Sequence, residues 1–124
     1  MRSILLVDPS TSMRQMVSFA LKDAGFDVVA AVSGQDAREK SRDRDFALVL
    51  VHQTMPPMDS LGLTRKLRSD LTHRDTPILV VIADDLDDAT RRSGRSAGVT
   101  DWIIKPISPA ALVEAVTKAI CRPV

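Results

Sequence analysis

Three residues of different chemistry stand where short apolar runs stop: Asp8 after "SILLV", His52 after "LVLV" and Lys105 after "DWII". An imidazole is a competent nucleophile, a metal ligand and the side chain that titrates nearest neutrality. A carboxylate beside it favours the charged ring and an ammonium the neutral one, so the sign of any shift at His52 stays open at this level. His52 and Asp8 together would give a metal two ligands, fewer than an ordinary zinc site uses. Whether these groups meet depends on the elements that carry them.

Five apolar runs cover residues 3–8, 27–32, 46–51, 77–83 and 100–104. They are rich in Val, Ile and Leu, and the first, third and fourth do not alternate with polar residues. That is how strands covered on both faces read. Helix-length segments separate them. Met13, Met16, Val17, Ala20, Leu21 and Ala24 fall at helical spacing, with Ser12 and Gln15 as a capping box and Gly25 as the stop. Ser60 opens a further helix with Leu61, Leu63, Leu67 and Leu71 to bury. Ser108 caps the last one, Pro109 takes its first position, and Leu112, Val113, Ala115, Val116, Ala119 and Ile120 form its apolar face. Segment 34–45 is almost wholly polar, with Ala37 its main apolar contact, and predicts a thinly packed helix. Segment 85–98 has only Leu86, Ala89 and Ala97 to bury, and Gly94 costs it about 1 kcal/mol relative to alanine, which predicts the most mobile helix.

Strand and helix thus alternate five times. Right-handed crossovers of this length give a parallel sheet with helices on both faces, an α/β architecture. In such sheets the functional crevice lies at the carboxyl ends of the strands. Asp8, His52, the stretch from Ile82 to Asp84, and Lys105 are therefore expected to cluster.

Bulk properties bound the reading. The 124 residues fit one domain, 1–124. Size scaling gives a folded surface of roughly 6,500 Å² against roughly 19,600 Å² unfolded, enough burial for a core without staples. Net charge is +1, with 17 basic and 16 acidic residues, so bulk attraction to nucleic acid or anionic membrane has no support. No helix is left over for DNA reading. The single cysteine, Cys121, excludes an internal disulfide and suits a cytoplasmic setting. The N-terminal apolar run is too short for a signal peptide or a membrane span.

The stretches "ILLVDPSTSMRQMV" (4–17), "LVLVHQTMPPMDSLGL" (48–63), "PILVVIAD" (77–84) and "DWIIKPI" (101–107) resemble a response-regulator receiver domain of the single-domain chemotaxis type. The resemblance covers about Ser3 to Cys121. It implies a flavodoxin-like three-layer sandwich with five helices and a five-stranded parallel sheet in the order 2-1-3-4-5. It also implies a chemistry. A carboxylate at the tip of strand three takes a phosphoryl group from a histidine kinase. Two acids after strand one help it hold Mg²⁺, a hydroxyl after strand four binds the phosphoryl oxygen, and a lysine after strand five stabilises developing charge.

This chain departs from that pattern at three positions. His52 replaces the phosphoacceptor, Pro9 stands where the second acid belongs, and Ile82 replaces the hydroxyl. Asp8 and Lys105 remain, Pro106 follows in what the resemblance implies is a cis bond, and Trp102 takes the aromatic position of strand five. Mg²⁺ demands hard oxygen ligands in near-octahedral geometry, and Asp8 alone does not offset its dehydration, so weak or no Mg²⁺ binding is expected, with no metal ligand beyond Asp8. An Asp8–Lys105 ion pair is expected to lock the pocket, and losing either partner to leave a partly buried charge. Ile82 is expected to pack where the hydroxyl would switch.

His52 reads first as a neutral polar filler bonded to Asp8 or to a backbone group. The alternatives are a phosphohistidine acceptor and a metal ligand. Arg91, Arg92 and Arg95 read as a solvated helix face or, more sharply, as a docking surface with Trp102 on the face of helix four, strand five and helix five that the family uses for partners. Met55 and Met58 are expected to pack their own loop, and Cys121 to be inert. The favoured function is a non-enzymatic, phosphorylation-independent binding module that docks to a histidine kinase, another regulator or a second receiver, with a homodimer among the options. With nothing after Val124, its signal would leave by direct contact. A phosphoryl relay through His52, or a ligand or metal sensor at the altered pocket, are the alternatives.

Overall fold

The computed structural model describes residues 2–42, 44–53, 60–83 and 87–121. Strands β1 (Ser3–Val7), β2 (Asp27–Ala31), β3 (Leu48–His52), β4 (Ile78–Ile82) and β5 (Asp101–Ile104) alternate with helices α1 (Thr11–Asp23), α2 (Gly34–Ser41), α3 (Ser60–Arg68), α4 (Asp88–Ala97) and α5 (Pro109–Ile120). A short 3₁₀ turn, Leu71–His73, precedes β4. All pairings are parallel, and the sheet order is β2-β1-β3-β4-β5. Both features are as the sequence implied.

Side chains of a strand alternate between the faces of a sheet, and the core divides accordingly. Leu5, Val7, Val49, Val51 and Ile78 pack with Ala37 of α2 and with Leu63 and Leu67 of α3. Ile4, Leu6, Leu48, Leu50, Leu79 and Ile103 pack with Val17 and Leu21 of α1 and with Leu112 and Val116 of α5. Continuing the alternation to the strand ends sends Asp8, His52 and Lys105 toward the α1/α5 face. Ile82 goes to the opposite face, with Ile78 and Val80.

Several local expectations change. The cap of α1 is Ser10, whose hydroxyl accepts the Met13 N–H, and not Ser12. The reason lies just upstream: Asp8 accepts the Ser10 N–H at 2.8 Å, a side-chain turn that starts the helix early. On α1, Val17 and Leu21 are buried, whereas Met16 and Ala24 are exposed. Leu71 is exposed as well, because α3 ends at Arg68 and places it on the 3₁₀ turn. Helix α2 is shorter than segment 34–45, ending at Ser41, with Ala37 buried as expected. In α4, Ala89 is exposed and the buried contacts come from Gly94 and Ala97. Gly25 and Gly98 end α1 and α4 at positive φ, where a Cβ would be strained. Ser108 caps α5 with Pro109 following, as expected. The expectations for Met55, Met58, Asp84, Leu86 and Val124 lie outside the described residues.

Candidate functional site

The strand tips converge on one cavity of about 260 Å³ between α1, α5 and the sheet. Asp8, His52 and Lys105 line it together with Pro106, which follows a cis Lys105–Pro106 bond. Its walls are apolar: Leu6, Leu50 and Val81 from the sheet, Val17 and Ala20 from α1, Leu112 from α5. Pro9 and Ile82 do not line it. Pro9 is exposed in the turn before α1, and Ile82 is buried on the other face of β4. Of the six residues expected to make the pocket, four are thus brought together, and the remaining two are placed elsewhere by turn geometry and strand parity.

The expected Asp8–Lys105 ion pair is absent, although both residues are described. Asp8 is 6% exposed and spends its carboxylate on the Ser10 N–H. The Arg14 guanidinium donates to the Asp8 backbone carbonyl at 2.7 Å and to the Thr11 hydroxyl. A short side chain engaged in its own turn does not extend to a lysine three strands along the sheet. Lys105 is half-buried; its backbone N–H donates to the Ile82 carbonyl, and its ammonium has no carboxylate in salt-bridge range among the described residues. His52 is the last residue of β3 and half-buried, as its place in the sequence suggested. Among the described residues, no group of three or more His, Cys, Asp and Glu side chains could hold a metal ion.

The residues of the second expected surface lie on α4 and β5. Arg91, Arg92 and Arg95 are exposed along α4 and make no ion pair among the described residues. Trp102 is half-buried on β5, and its ring lies directly over Gly94 of α4: a Cβ at position 94 would overlap Trp102 Cζ2 and sit 2.9 Å from Cη2. The glycine that weakens the helix is therefore the one that lets the helix sit on the indole.

Two structural residues escaped the sequence reading. Arg68, at the end of α3, donates to the carbonyls of His73, Arg74, Thr76 and Gly98, tying the α3–β4 connection to the α4–β5 turn. Burial pushes its pKa below the usual guanidinium value, with Asp75 acting in the opposite direction. His73 is fully buried, stacked on Phe46 with centroids 6.1 Å apart, with Nδ1 3.4 Å from Asp70 and no hydrogen-bond partner at Nε2. Nothing in "RSDLTHRDTP" signals either role, because both depend on packing across distant segments.

Residues 4–117 match the family described as the response regulator receiver domain. The chain belongs to that family. It is 33% identical over 119 residues to the transcriptional regulatory protein SrrA of Staphylococcus aureus, covering 96% of this chain and 47% of that protein. This receiver therefore spans about half the length of the curated relatives it matches. The solved chemotaxis response regulator CheY4 of Vibrio cholerae superposes with a TM-score of 0.89 at 31% identity, covering 96% of this chain and 98% of that one. The receiver domain of a sensor histidine kinase from Pseudomonas aeruginosa, solved with magnesium in its active site cleft, gives a TM-score of 0.86 at 24% identity, covering 96% and 97%. At that identity the second likeness concerns the fold alone. The receiver fold of two-component signalling is thus established for this chain. Among its described residues, no helix is long and apolar enough to cross a membrane.

Proposed function

We propose that this receiver signals without carrying a phosphoryl group, as a protein-binding module of a two-component pathway. The observation that carries the reading is the donor set at the strand tips. Among the described residues one carboxylate lines the cavity, Asp8, already accepting a backbone N–H, with an imidazole and an ammonium beside the same cavity. Mg²⁺ prefers several hard oxygen ligands in octahedral array and dehydrates reluctantly. That donor set does not fit it. Without the divalent ion, an approaching phosphoryl anion meets Asp8 with its repulsion unscreened. The Ile82 side chain offers no hydroxyl to the phosphoryl oxygen and faces away from the cavity.

Output then rests on surface shape. The exposed Arg91, Arg92 and Arg95 favour an acidic partner surface, such as that of a histidine kinase or another regulator, and the Trp102–Gly94 contact holds α4 in place beside β5. Incubation with labelled acetyl phosphate and Mg²⁺ tests the first half. No base-labile acyl phosphate and no acid-labile phosphohistidine is expected, and stoichiometric label of either kind would overturn it. Pull-down with pathway kinases and regulators tests the second. Binding is expected that is unchanged by acetyl phosphate and lost when Arg91, Arg92 and Arg95 are replaced by glutamate.

A further inference from the structure

The outer face of α1 carries apolar surface that the fold leaves in solvent. Phe19 is 74% exposed, and Met16, one turn before it, 47%. Both border an open groove between α1 and α5, lined further by Ala20 and Ala24 and by Pro109, Ala110 and Val113 of α5. A protruding ring and a shallow groove of small residues thus lie side by side on one face. A self-complementary contact about a two-fold axis needs that arrangement. Charge is distributed in the same sense. Among the described residues the charged side chain lining the groove is Asp23, the last residue of α1, and neither Lys22 nor Arg14 lines it. The dipole of its own helix disfavours a carboxylate there, and Asp23 has no ion pair among the described residues. Ser12 and Gln15 line the opposite end, where the first turn of α1 holds no acid; the first turn of α5 holds none either.

Ser12, Met16, Phe19 and Asp23 fall at i, i+4, i+7 and i+11, one stripe of the helix. Met16 with Phe19, and Ser12 with Asp23, share a midpoint. One two-fold axis at that point therefore sets Phe19 against Met16 of the second copy, a sulfur–aromatic contact. The same axis sets Asp23 against the positive helix end at Ser12 of the second copy. We propose that this face pairs two copies of the chain through an antiparallel α1–α1 contact. The inference goes beyond the binding-module reading and does not depend on how the strand tips treat a phosphoryl group. Arg91, Arg92 and Arg95 lie on α4, which packs beside α3 on the other layer of the sheet. The pair therefore presents two arginine faces to one partner, which raises avidity without a new contact.

Sedimentation equilibrium on the unaltered chain, from about 10 µM to about 1 mM, tests this. Reversible dimerisation with a dissociation constant of roughly 100 µM is expected, as suits a small transient interface. Phe19→Asp is expected to weaken it about tenfold or more. Asp23→Lys sets a cation against a positive helix end, and Ser12→Asp sets a carboxylate against Asp23. Each is expected to weaken the dimer about threefold or more, since each contact occurs twice. Combined, the two substitutions restore it to at least the parent affinity. Each of them places a charge that its own helix dipole favours, so lost association does not report unfolding, and circular dichroism checks Phe19→Asp. A chain that stays monomeric at about 1 mM overturns the proposal; if Phe19→Asp then abolishes kinase capture, the face belongs to a kinase. Association that survives Phe19→Asp but is lost with Arg91→Glu and Arg95→Glu overturns it in favour of a contact through α4. So does a double variant that dimerises no more tightly than the single ones.

Discussion

At the scale of single residues, the division of labour between Asp8 and Lys105 has a measurable consequence. Had they formed an ion pair, removing either would destabilise the fold. Asp8 instead holds the start of α1 through the Ser10 N–H. Asp8→Ala is therefore expected to cost about 1 kcal/mol, the size of a lost helix cap, whereas Lys105→Ala stays within about 0.5 kcal/mol of the parent. Urea denaturation compares them directly, and equal losses for both would restore the ion pair. Gly94 makes the opposite case. On an exposed helix, Gly→Ala gains about 1 kcal/mol, but here the new Cβ would overlap the Trp102 ring. Gly94→Ala is expected to lose roughly 1–3 kcal/mol by overpacking and to red-shift the emission of the chain's single tryptophan. The sequence placed the strand-tip residues correctly because an apolar run that stops at a polar residue names its own end. It could not show which hydrogen bond Asp8 would choose, since a backbone N–H two residues away competes with a lysine 97 positions on without leaving any trace in composition.

At the scale of elements, the five strands and the helices α1, α3 and α5 were legible because their apolar runs and periodicity are strong. Helix α4 was legible only as a segment. Its burial comes from Gly94 and Ala97, residues that carry almost no hydropathy signal, and its contact is an aromatic ring from β5. Arg68 was invisible for a related reason: it is a polar residue at a helix end whose partners are carbonyls of two later turns. It also explains Gly98, where a Cβ would lie 2.7 Å from Arg68 Cγ. Replacing Arg68 with methionine leaves those carbonyls short of donors and is expected to cost about 3 kcal/mol. Arg68→Lys recovers only part of this, because an ammonium cannot reproduce the fork that spans both turns. Amide hydrogen exchange reads the outcome locally, with faster exchange expected at the start of β4 and at the α4–β5 turn in both variants.

At the scale of the whole molecule, three carboxylates among the described residues have lowered pKa values and contribute to acid sensitivity. Burial alone would raise the pKa of Asp36, but the Val32 N–H and Lys40 outweigh it and hold the group below its usual 3.8. Asp70 is lowered by the Thr72 N–H and by His73, and Asp87 by its bonds to Thr90. A carboxylate with a depressed folded pKa contributes stability that is complete above its unfolded value and is lost as pH falls through the folded one. The urea midpoint is therefore expected to hold steady above about pH 5 and to fall on acidification below 3.8, less steeply in Asp36→Asn than in the parent. The two-faced core also decides where chemistry can sit. Asp8, His52 and Lys105 share a cavity because each lies an even number of steps from the residues its strand sends toward α1 and α5. Substitution at a tip changes the chemistry and leaves the address intact. Deleting one residue within β3 would do the reverse, keeping the imidazole in the chain while exporting it to the opposite layer. The scaffold is thus forgiving of letters and intolerant of spacing, so a receiver of this build can drift to a new ligand far more readily than it can relocate its site.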